Sequence, residues 1–168
     1  MTVVRVNRGG RVTCRATLPL AVSARAAWGR IRDFRRFAAQ DFFHAAVRVD
    51  RGGVRPGAAL EIDHRFGPFS TTRVGRILQW RENVGYSFSD LSRSDPHAAF
   101  PHVYRYHLTA TGPSSCELEV LIAGRWTTAW MPRLLTHLWL RWVFSHIVCS
   151  VRNELGSAIA DCQLARAC

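Results

Sequence analysis

Polar side chains stand at inward-facing positions of several predicted strands, and their types are those of acid–base chemistry. In the strand that contains Leu60 and Ile62, His64 continues the apolar face, because successive side chains of a strand point to opposite sides. The other members of this set are Tyr86, His102, Tyr104 and Tyr106. Burying a polar group without a partner costs about 1–3 kcal/mol, so histidines and tyrosines in an apolar lining need an explanation.

One explanation is catalysis, with His64 and His102 as the catalytic pair. An imidazole titrates near neutral pH and can act as a general base on an acidic C–H or O–H group. The tyrosine hydroxyls would bind substrate and hold a developing enolate or phenolate. An aldol-type cyclisation followed by dehydration requires these groups. The alternative is that both histidines are satisfied core residues, and the sequence leaves this open because they belong to non-adjacent strands.

Three further residues are candidates for substrate binding, namely Arg76, Trp126 and Arg141. Arg76 shares a strand face with Leu78 and Trp80, which predicts an inward guanidinium that could clamp a carboxylate or carbonyl, although Ile77 favours the opposite face. Trp126 ends the apolar face of the last strand. Arg141 lies in a polar arc of the final helix, which either lines a cavity or faces solvent.

No metal or cofactor is expected. His102 and His107 are separated by an odd number of residues on one strand, so they point to opposite faces and cannot share a metal with His64. The sequence also has no glycine-rich nucleotide loop, no nucleophile elbow and no HExxH pattern. The chemistry would therefore depend on side chains alone.

The elements that must position these groups follow an order of strand, short helices, six strands and a long helix. Residues 11–18 alternate as a first strand, Ser23 can cap a helix from Ala24, and a second short helix fits the stretch near Phe34. Six alternating runs then follow between His44 and Trp126, joined by hairpin-length turns. Residues 90–101 form the longest irregular segment. We expect one α+β domain over 11–165, preceded by a tail at 1–10.

Composition excludes several classes of protein. The formal net charge is +11, but all 23 basic residues are arginine and they are scattered, which is typical of a GC-rich bacterial genome and not of a nucleic-acid-binding patch. No specific nucleic acid is expected as a partner, whereas weak contact with anionic membranes or carrier proteins is compatible with the charge. The five cysteines form no CxxC pair, which indicates free thiols in the cytoplasm.

The terminal helix is long and apolar, but His137, Arg141 and His146 interrupt its centre. A charged side chain at the centre of a membrane-spanning helix costs about 2.5–3.5 kcal/mol on insertion scales. The pattern therefore predicts a buried helix of a folded domain and not a membrane span.

The opening of the chain resembles the START/Bet v 1-like helix-grip superfamily, and its polyketide cyclase/dehydratase-like branch in particular. The stretch LPLAVSARAAWGRIRDFRRF, which ends at Phe37, has the family's short strand, small helix cap, Ala27-Trp28 step and Asp33 one turn later. The turn at Gly57 and the long C-terminal helix also fit. The resemblance implies a seven-stranded curved antiparallel sheet wrapped around the C-terminal helix, with two short helices after the first strand. An apolar cavity would lie between the sheet and that helix.

Together these features give two main hypotheses and one further possibility. The leading hypothesis is a cofactor-independent cyclase, dehydratase or isomerase that acts on an apolar, carbonyl-bearing, polyketide-like substrate. The alternative is a non-catalytic carrier of a lipid, quinone or other hydrophobic ligand. A membrane-peripheral module is the third. The superfamily has no universal catalytic motif, so the resemblance assigns no catalytic residue, and the sequence fits a monomer or a homodimer.

Overall fold

A computed structural model describes residues 2–39, 44–66, 68–90, 100–126 and 132–164. Within them the sheet consists of β1 (Thr2–Val6), β2 (Arg11–Leu20), β3 (His44–Val49), β4 (Ala59–Phe66), β5 (Phe69–Arg81), β6 (Gly85–Asp90), β7 (His102–Gly112) and β8 (Ser115–Arg125). The helices are α1 (Ala24–Ile31), α2 (Phe34–Ala38) and α3 (Arg133–Leu164).

The strands form one curved antiparallel sheet in the order β1-β2-β8-β7-β6-β5-β4-β3. From β3 to β8 each strand pairs with the next along the chain, and β2 returns to pair with β8. This arrangement confirms the predicted antiparallel sheet and the order of its elements. Its inner face carries the core side chains and is covered by the three helices.

The predicted number of strands was wrong by one. Residues 2–6, expected within an N-terminal tail, form β1 and pair with β2 in a register that sets Val4 opposite Cys14. The segment was missed because β1 is an edge strand. Its side chains are exposed or half-buried, without the strict alternation that marks a strand with one buried face.

The two short helices begin at the caps that the sequence provides. The Ser23 hydroxyl accepts a hydrogen bond from the Ala26 amide at 3.3 Å, and the Asp33 carboxylate accepts one from the Arg36 amide at 3.4 Å. Their apolar faces turn inward, with the rings of Trp28 and Phe34 edge-on to Tyr86 on β6. The expected helices are confirmed, and they fix the aromatic core at one end of the sheet.

The helix α3 is the core helix of the domain. Its segment Leu134–Gly156 is long and apolar enough to cross a membrane by length and composition, with a mean hydropathy of 1.3. In the fold, however, a stripe of that helix is buried in the core with the inner face of the sheet: Leu140, Phe144, Ile147, Val151 and Leu155. The predicted buried helix is confirmed.

Candidate functional site

A cluster of ionisable side chains surrounds Asp90, the last residue of β6. Three groups meet its Oδ2 atom: Arg73 Nη1 at 2.9 Å, His64 Nε2 at 3.0 Å and His102 Nε2 at 3.6 Å. The Asp90 side chain is fully buried, and the side chain of Arg73 is 12% exposed. The structure therefore brings together the two histidines whose distance the sequence could not give, and it does so through a carboxylate and a guanidinium.

Strand pairing explains why these residues meet. The last residue of β6 pairs with the first of β7, which places Asp90 opposite His102. In the same way β3 begins where β4 ends, which places His44 opposite His64. In an antiparallel sheet, all of these strand ends lie at one edge of the inner face. The cluster thus occupies one end of the sheet, where residues distant in sequence converge.

Each histidine is oriented by a backbone carbonyl. The Nδ1 atom of His102 lies 2.6 Å from the Phe100 carbonyl oxygen, and that of His44 lies 2.9 Å from the carbonyl oxygen of Ala38. A carbonyl oxygen only accepts, so both rings carry a proton on Nδ1. His102 thereby presents an unprotonated Nε2 towards Asp90. His64 lies between two acceptors, with Nδ1 3.2 Å from the Ile62 carbonyl and Nε2 beside the carboxylate.

The electrostatics give His102 and Asp90 different charge states. Burial lowers the pKa of His102 from 6.5 to about 4, although Asp90 and the Phe100 carbonyl act in the opposite direction. Burial alone would raise the pKa of Asp90, but the close contact with His64 and the positive charge of Arg73 hold it well below its usual range. At neutral pH His102 is therefore a neutral base beside an ionised carboxylate.

In the described part of the chain, the second carboxylate oxygen of Asp90, Oδ1, lacks the cationic and imidazole partners that Oδ2 has. Asp90 Oδ1 is buried and has no hydrogen-bond partner among the residues that the structure describes. Leaving a buried acceptor unsatisfied costs about 1–3 kcal/mol, and more for a charged group. A ligand hydroxyl, or a water molecule, would satisfy it. Oδ1 is thus the group of the cluster best suited to accept a hydrogen bond from a bound molecule.

Two glycines let neighbouring strands approach the cluster. A Cβ atom built on Gly75 of β5 would lie 1.8 Å from the carbonyl oxygen of Ser89, next to Asp90. One on Gly124 of β8 would lie 2.4 Å from the Pro101 carbonyl oxygen and 2.7 Å from Cβ of His102. A glycine inside a strand often marks a site where another backbone comes close.

Replacing Gly124 by alanine is therefore expected to displace His102 and to destabilise the fold by about 1–3 kcal/mol, as overpacking does. The matched control is Gly29→Ala in α1, because a Cβ there meets nothing within 4 Å. Urea unfolding of both variants measures the difference. Equal stability of Gly124→Ala and the wild type would show that β8 yields without strain.

The tyrosines predicted to bind substrate are all buried, but only Tyr104 borders the cluster. Its ring centroid lies 5.0 Å from that of His102 and 5.4 Å from that of His44. Tyr106 packs instead against Phe37 of α2, with ring centroids 5.2 Å apart.

Tyr86 lies further into the aromatic core, in contact with Trp28 and Trp80. Its hydroxyl is buried without a hydrogen-bond partner in the described part of the chain, and burial raises the pKa of Tyr86 well above 10. Tyr86 and Tyr106 belong to the buried core, and their role in substrate binding stays a prediction.

Trp126 belongs to a row of aromatic rings that leads away from the cluster. Phe100 stacks on His102 at 4.6 Å, Trp126 follows at 5.8 Å from Phe100, and Trp139 of α3 lies 5.3 Å from Trp126. The row connects the cluster to the beginning of α3. Most of the irregular segment expected at 90–101 lies outside the described residues, which end with β6 at Asp90 and resume at Phe100.

Two predicted binding residues point elsewhere. Arg76 is exposed, because β5 has a bulge between Ile77 and Gln79 that changes which residues face inward. Counting back in steps of two from Trp80 therefore gave the wrong face, and Arg73 is the inward arginine. Arg141 is exposed on α3, which agrees with the solvent-facing alternative for its polar arc and not with a place in the interior.

Sequence reasoning missed three members of the cluster, namely His44, Arg73 and Asp90. A signal existed for Asp90, since it follows Tyr86 and Phe88 at the next position of the same alternating face. His44 is the first residue of β3, and at the end of a strand the alternation of side chains is a weaker guide to which face of the sheet a residue points to. Within the described residues, no group of three or more histidine, cysteine, aspartate or glutamate side chains is arranged to hold a metal ion.

A cleft of about 240 Å³ lies apart from this cluster. The exposed side chains of Gln79, Arg81, Arg105 and His107 line it on the outer face of the sheet. Because Tyr86 and Tyr106 turn their side chains inward, this cleft has no access to the inner residues through them. His107 is therefore a suitable exposed control for His102 on the same strand.

No protein-family model and no curated protein matches the sequence. Solved structures match it at full probability. Zhui aromatase/cyclase from Streptomyces sp. R1128 is 11% identical with a TM-score of 0.68, over 88% of this chain and 93% of that one. A START superfamily protein from Mycobacterium smegmatis is 16% identical with a TM-score of 0.65, over 86% and 97%.

The di-domain aromatase/cyclase StfQ of the steffimycin biosynthetic pathway is also similar. It is 12% identical with a TM-score of 0.71, and the match covers 92% of this chain and 52% of that one, about half of a two-domain protein. At these identities the likeness establishes the fold alone. The chain has the helix-grip fold of the START/Bet v 1-like proteins, as its sequence predicted.

Proposed function

We propose that this helix-grip protein binds an apolar, carbonyl-bearing small molecule on the inner face of its sheet and transforms it by acid–base catalysis without a cofactor. The observation that carries the proposal is the buried carboxylate of Asp90, which contacts both His64 and His102 as well as Arg73. Arg73 alone already supplies Asp90 with a partner of opposite sign. Two differently oriented imidazoles on one carboxylate are suited to moving a proton.

The geometry suggests a distinct role for each group. His102, neutral at Nε2, would take a proton from a carbon next to a substrate carbonyl, which leaves an enolate and an imidazolium. Asp90 would stabilise that imidazolium, and Arg73 keeps Asp90 ionised. His64, in contact with the same carboxylate, would return a proton to the product oxygen. Attack of the enolate on a second carbonyl, followed by loss of water, gives a cyclised product, and simple reprotonation gives an isomer.

Two of the similar structures support the cyclase form of the proposal, because they are named aromatase/cyclases. The substrate would be a hydrophobic, polyketide-like molecule, and the protein is expected in the cytoplasm as a monomer or homodimer. The buried aromatic lining suits such a ligand. The same lining would also suit a carrier, so the experiment must separate turnover from binding.

The first test uses 5-nitrobenzisoxazole, an apolar aromatic probe whose ring opens when a base removes its C–H proton. We expect the protein to accelerate this reaction over buffer, and His102→Phe to lose most of that acceleration, at least about tenfold. His107→Phe, on the outer face of the same strand, should leave it unchanged. Because the pKa of His102 is about 4, the rate should be constant from neutral pH down to about pH 5 and fall below that.

Native mass spectrometry of freshly purified protein supplies the opposing outcome. A stoichiometric, chemically unaltered lipid or quinone, together with full acceleration in His102→Phe, would assign the protein to the carriers. It would also reduce His64 and His102 to packing. A cyclic or dehydrated compound in trace amounts would agree with turnover.

A further inference from the structure

The helical face of the molecule carries a stripe of partly exposed apolar side chains. On the first turns of α3, four large apolar side chains are exposed on the side opposite the core: Leu134 at 68%, Leu135 at 53%, Leu138 at 52% and Trp142 at 48%. They follow one another at helical spacing and so form one stripe. We call these four residues the α3 stripe.

The same face is basic. The helices α1 and α2 pack on the inner face of the sheet together with α3, so that all three form one helical layer. The exposed arginines of this layer are Arg25, Arg30, Arg32, Arg35, Arg36, Arg141 and Arg152. Its described acidic side chains are Asp33, which caps α2, and Glu154, which pairs with Arg36. The layer therefore has a clear excess of positive charge.

The outer face of the sheet differs from the helical layer. There part of the arginine charge is paired with acids: Arg48 binds Glu61 and Asp63, and Glu119 receives both Arg15 and Arg105. Between described residues, no ion pair involves the layer's arginines apart from Arg36. Ion pairs between described residues thus leave most of the positive charge of the helical layer uncompensated, and Arg141 carries part of that charge on the same turns of α3 as the stripe.

We propose that the α3 stripe and the arginines of the helical layer dock the protein on an anionic lipid bilayer. Leucine and tryptophan side chains enter the interfacial region of a bilayer, and arginines beside them bind the lipid phosphates. Trp142 suits this position because its ring is amphipathic. The helix would lie along the surface with its opposite, buried stripe still in the core.

A second copy of the chain fits the face less well. Four partly exposed side chains present roughly 400 Å² of apolar surface, about half of the ~800 Å² that each partner buries in a stable complex. Two copies would also bring two basic layers together, and like charges repel. A bilayer that contains anionic lipid matches both the shallow apolar stripe and the charge around it.

The docked surface would lie close to the proposed site. Trp139, on the same turns of α3 as the stripe, begins the row of rings that continues through Trp126 and Phe100 to His102. A ligand drawn from the bilayer would meet this row first. The docking proposal is independent of the proposed catalysis, because it concerns a different surface of the protein.

The test is co-sedimentation of the full chain with two kinds of vesicle, phosphatidylcholine alone and phosphatidylcholine with about 30% phosphatidylglycerol. We expect binding to the anionic vesicles and its loss at about 0.5 M salt. Leu138→Glu should weaken binding about tenfold or more. Leu78→Glu is the matched control, because Leu78 is 45% exposed on β5 and lies outside the helical layer. It should bind like the wild type.

Four experimental results would contradict the proposal. In the first, the protein does not bind the anionic vesicles. In the second, Leu138→Glu and Leu78→Glu weaken binding equally. In the third, the double variant Arg32→Gln, Arg35→Gln abolishes binding while Leu138→Glu has no effect. That result would indicate a purely electrostatic surface for an acidic macromolecule. In the fourth, analytical ultracentrifugation shows a dimer that Leu138→Glu dissociates. That result would assign the stripe to an interface with a second copy of the chain. Unchanged circular dichroism confirms that each variant is folded.

Discussion

Replacing Asp90 by alanine is expected to lower the free energy of unfolding by about 3–5 kcal/mol. The side chain is fully buried, and its removal leaves the guanidinium of Arg73, only 12% exposed, without its carboxylate. It also removes the acceptor beside His64. An uncompensated buried charge is among the few causes of such large losses. Urea unfolding at neutral pH measures the effect.

The matched control is Asp63→Ala. Asp63 also binds an arginine, Arg48, through two oxygens, but that pair is exposed to solvent on the outer face of the sheet. Because water screens and replaces such a pair, its loss should change stability little. Similar losses at Asp90 and Asp63 would contradict the view that Asp90 holds a buried charge network.

A double variant separates the pair from its surroundings. Arg73→Met with Asp90→Leu removes both charges, and it should be much less destabilised than Asp90→Ala, because no ion remains unpaired in the interior. If stability recovers in this way while turnover of 5-nitrobenzisoxazole does not, the cluster is not required for folding. Its charges would then be explained by function. A double variant as unstable as Asp90→Ala would instead assign the cluster to the fold.

The sequence predicted those parts of the fold that depend on a regular alternation of side chains. His64 and His102 were placed on the inner face because they continue rows of apolar residues, and both are buried, at 3% and 7% exposure. The cap at Ser23 gave the start of α1 for a similar local reason.

What the sequence could not give are features that depend on pairing between distant strands. Because of the bulge after Ile77, the inward arginine is Arg73 and not Arg76, and the apolar Ile77 was the one local sign of it that the sequence analysis noted. The meeting of His64 with Asp90 requires the register of β4, β5 and β6, which is decided by the whole sheet. The strand β1 depends on an edge that only the folded sheet provides.

Acid is expected to destabilise the protein through His102 before its carboxylates titrate. The pKa of His102 is about 4 in the folded state and 6.5 as its ordinary value. Between these two pH values His102 is protonated in the unfolded chain but neutral in the folded protein. The stabilisation is therefore fully present above pH 6.5 and is lost as the pH falls towards 4. A shift of this size corresponds to about 3 kcal/mol, and His102 is only 7% exposed.

His102→Gln separates this contribution from the others. The carboxylates whose pKa values the fold lowers, such as those of Asp63 and Asp90, affect stability only near and below their ordinary pKa of 3.8. The window from pH 6.5 to about 4.5 therefore belongs to histidine. We expect the urea midpoint of the wild type to fall across this window, His102→Gln to flatten the fall, and His107→Gln to leave it unchanged. An equally steep fall in His102→Gln would mean that folding does not lower the pKa of His102, which would contradict its assignment as a neutral, buried base.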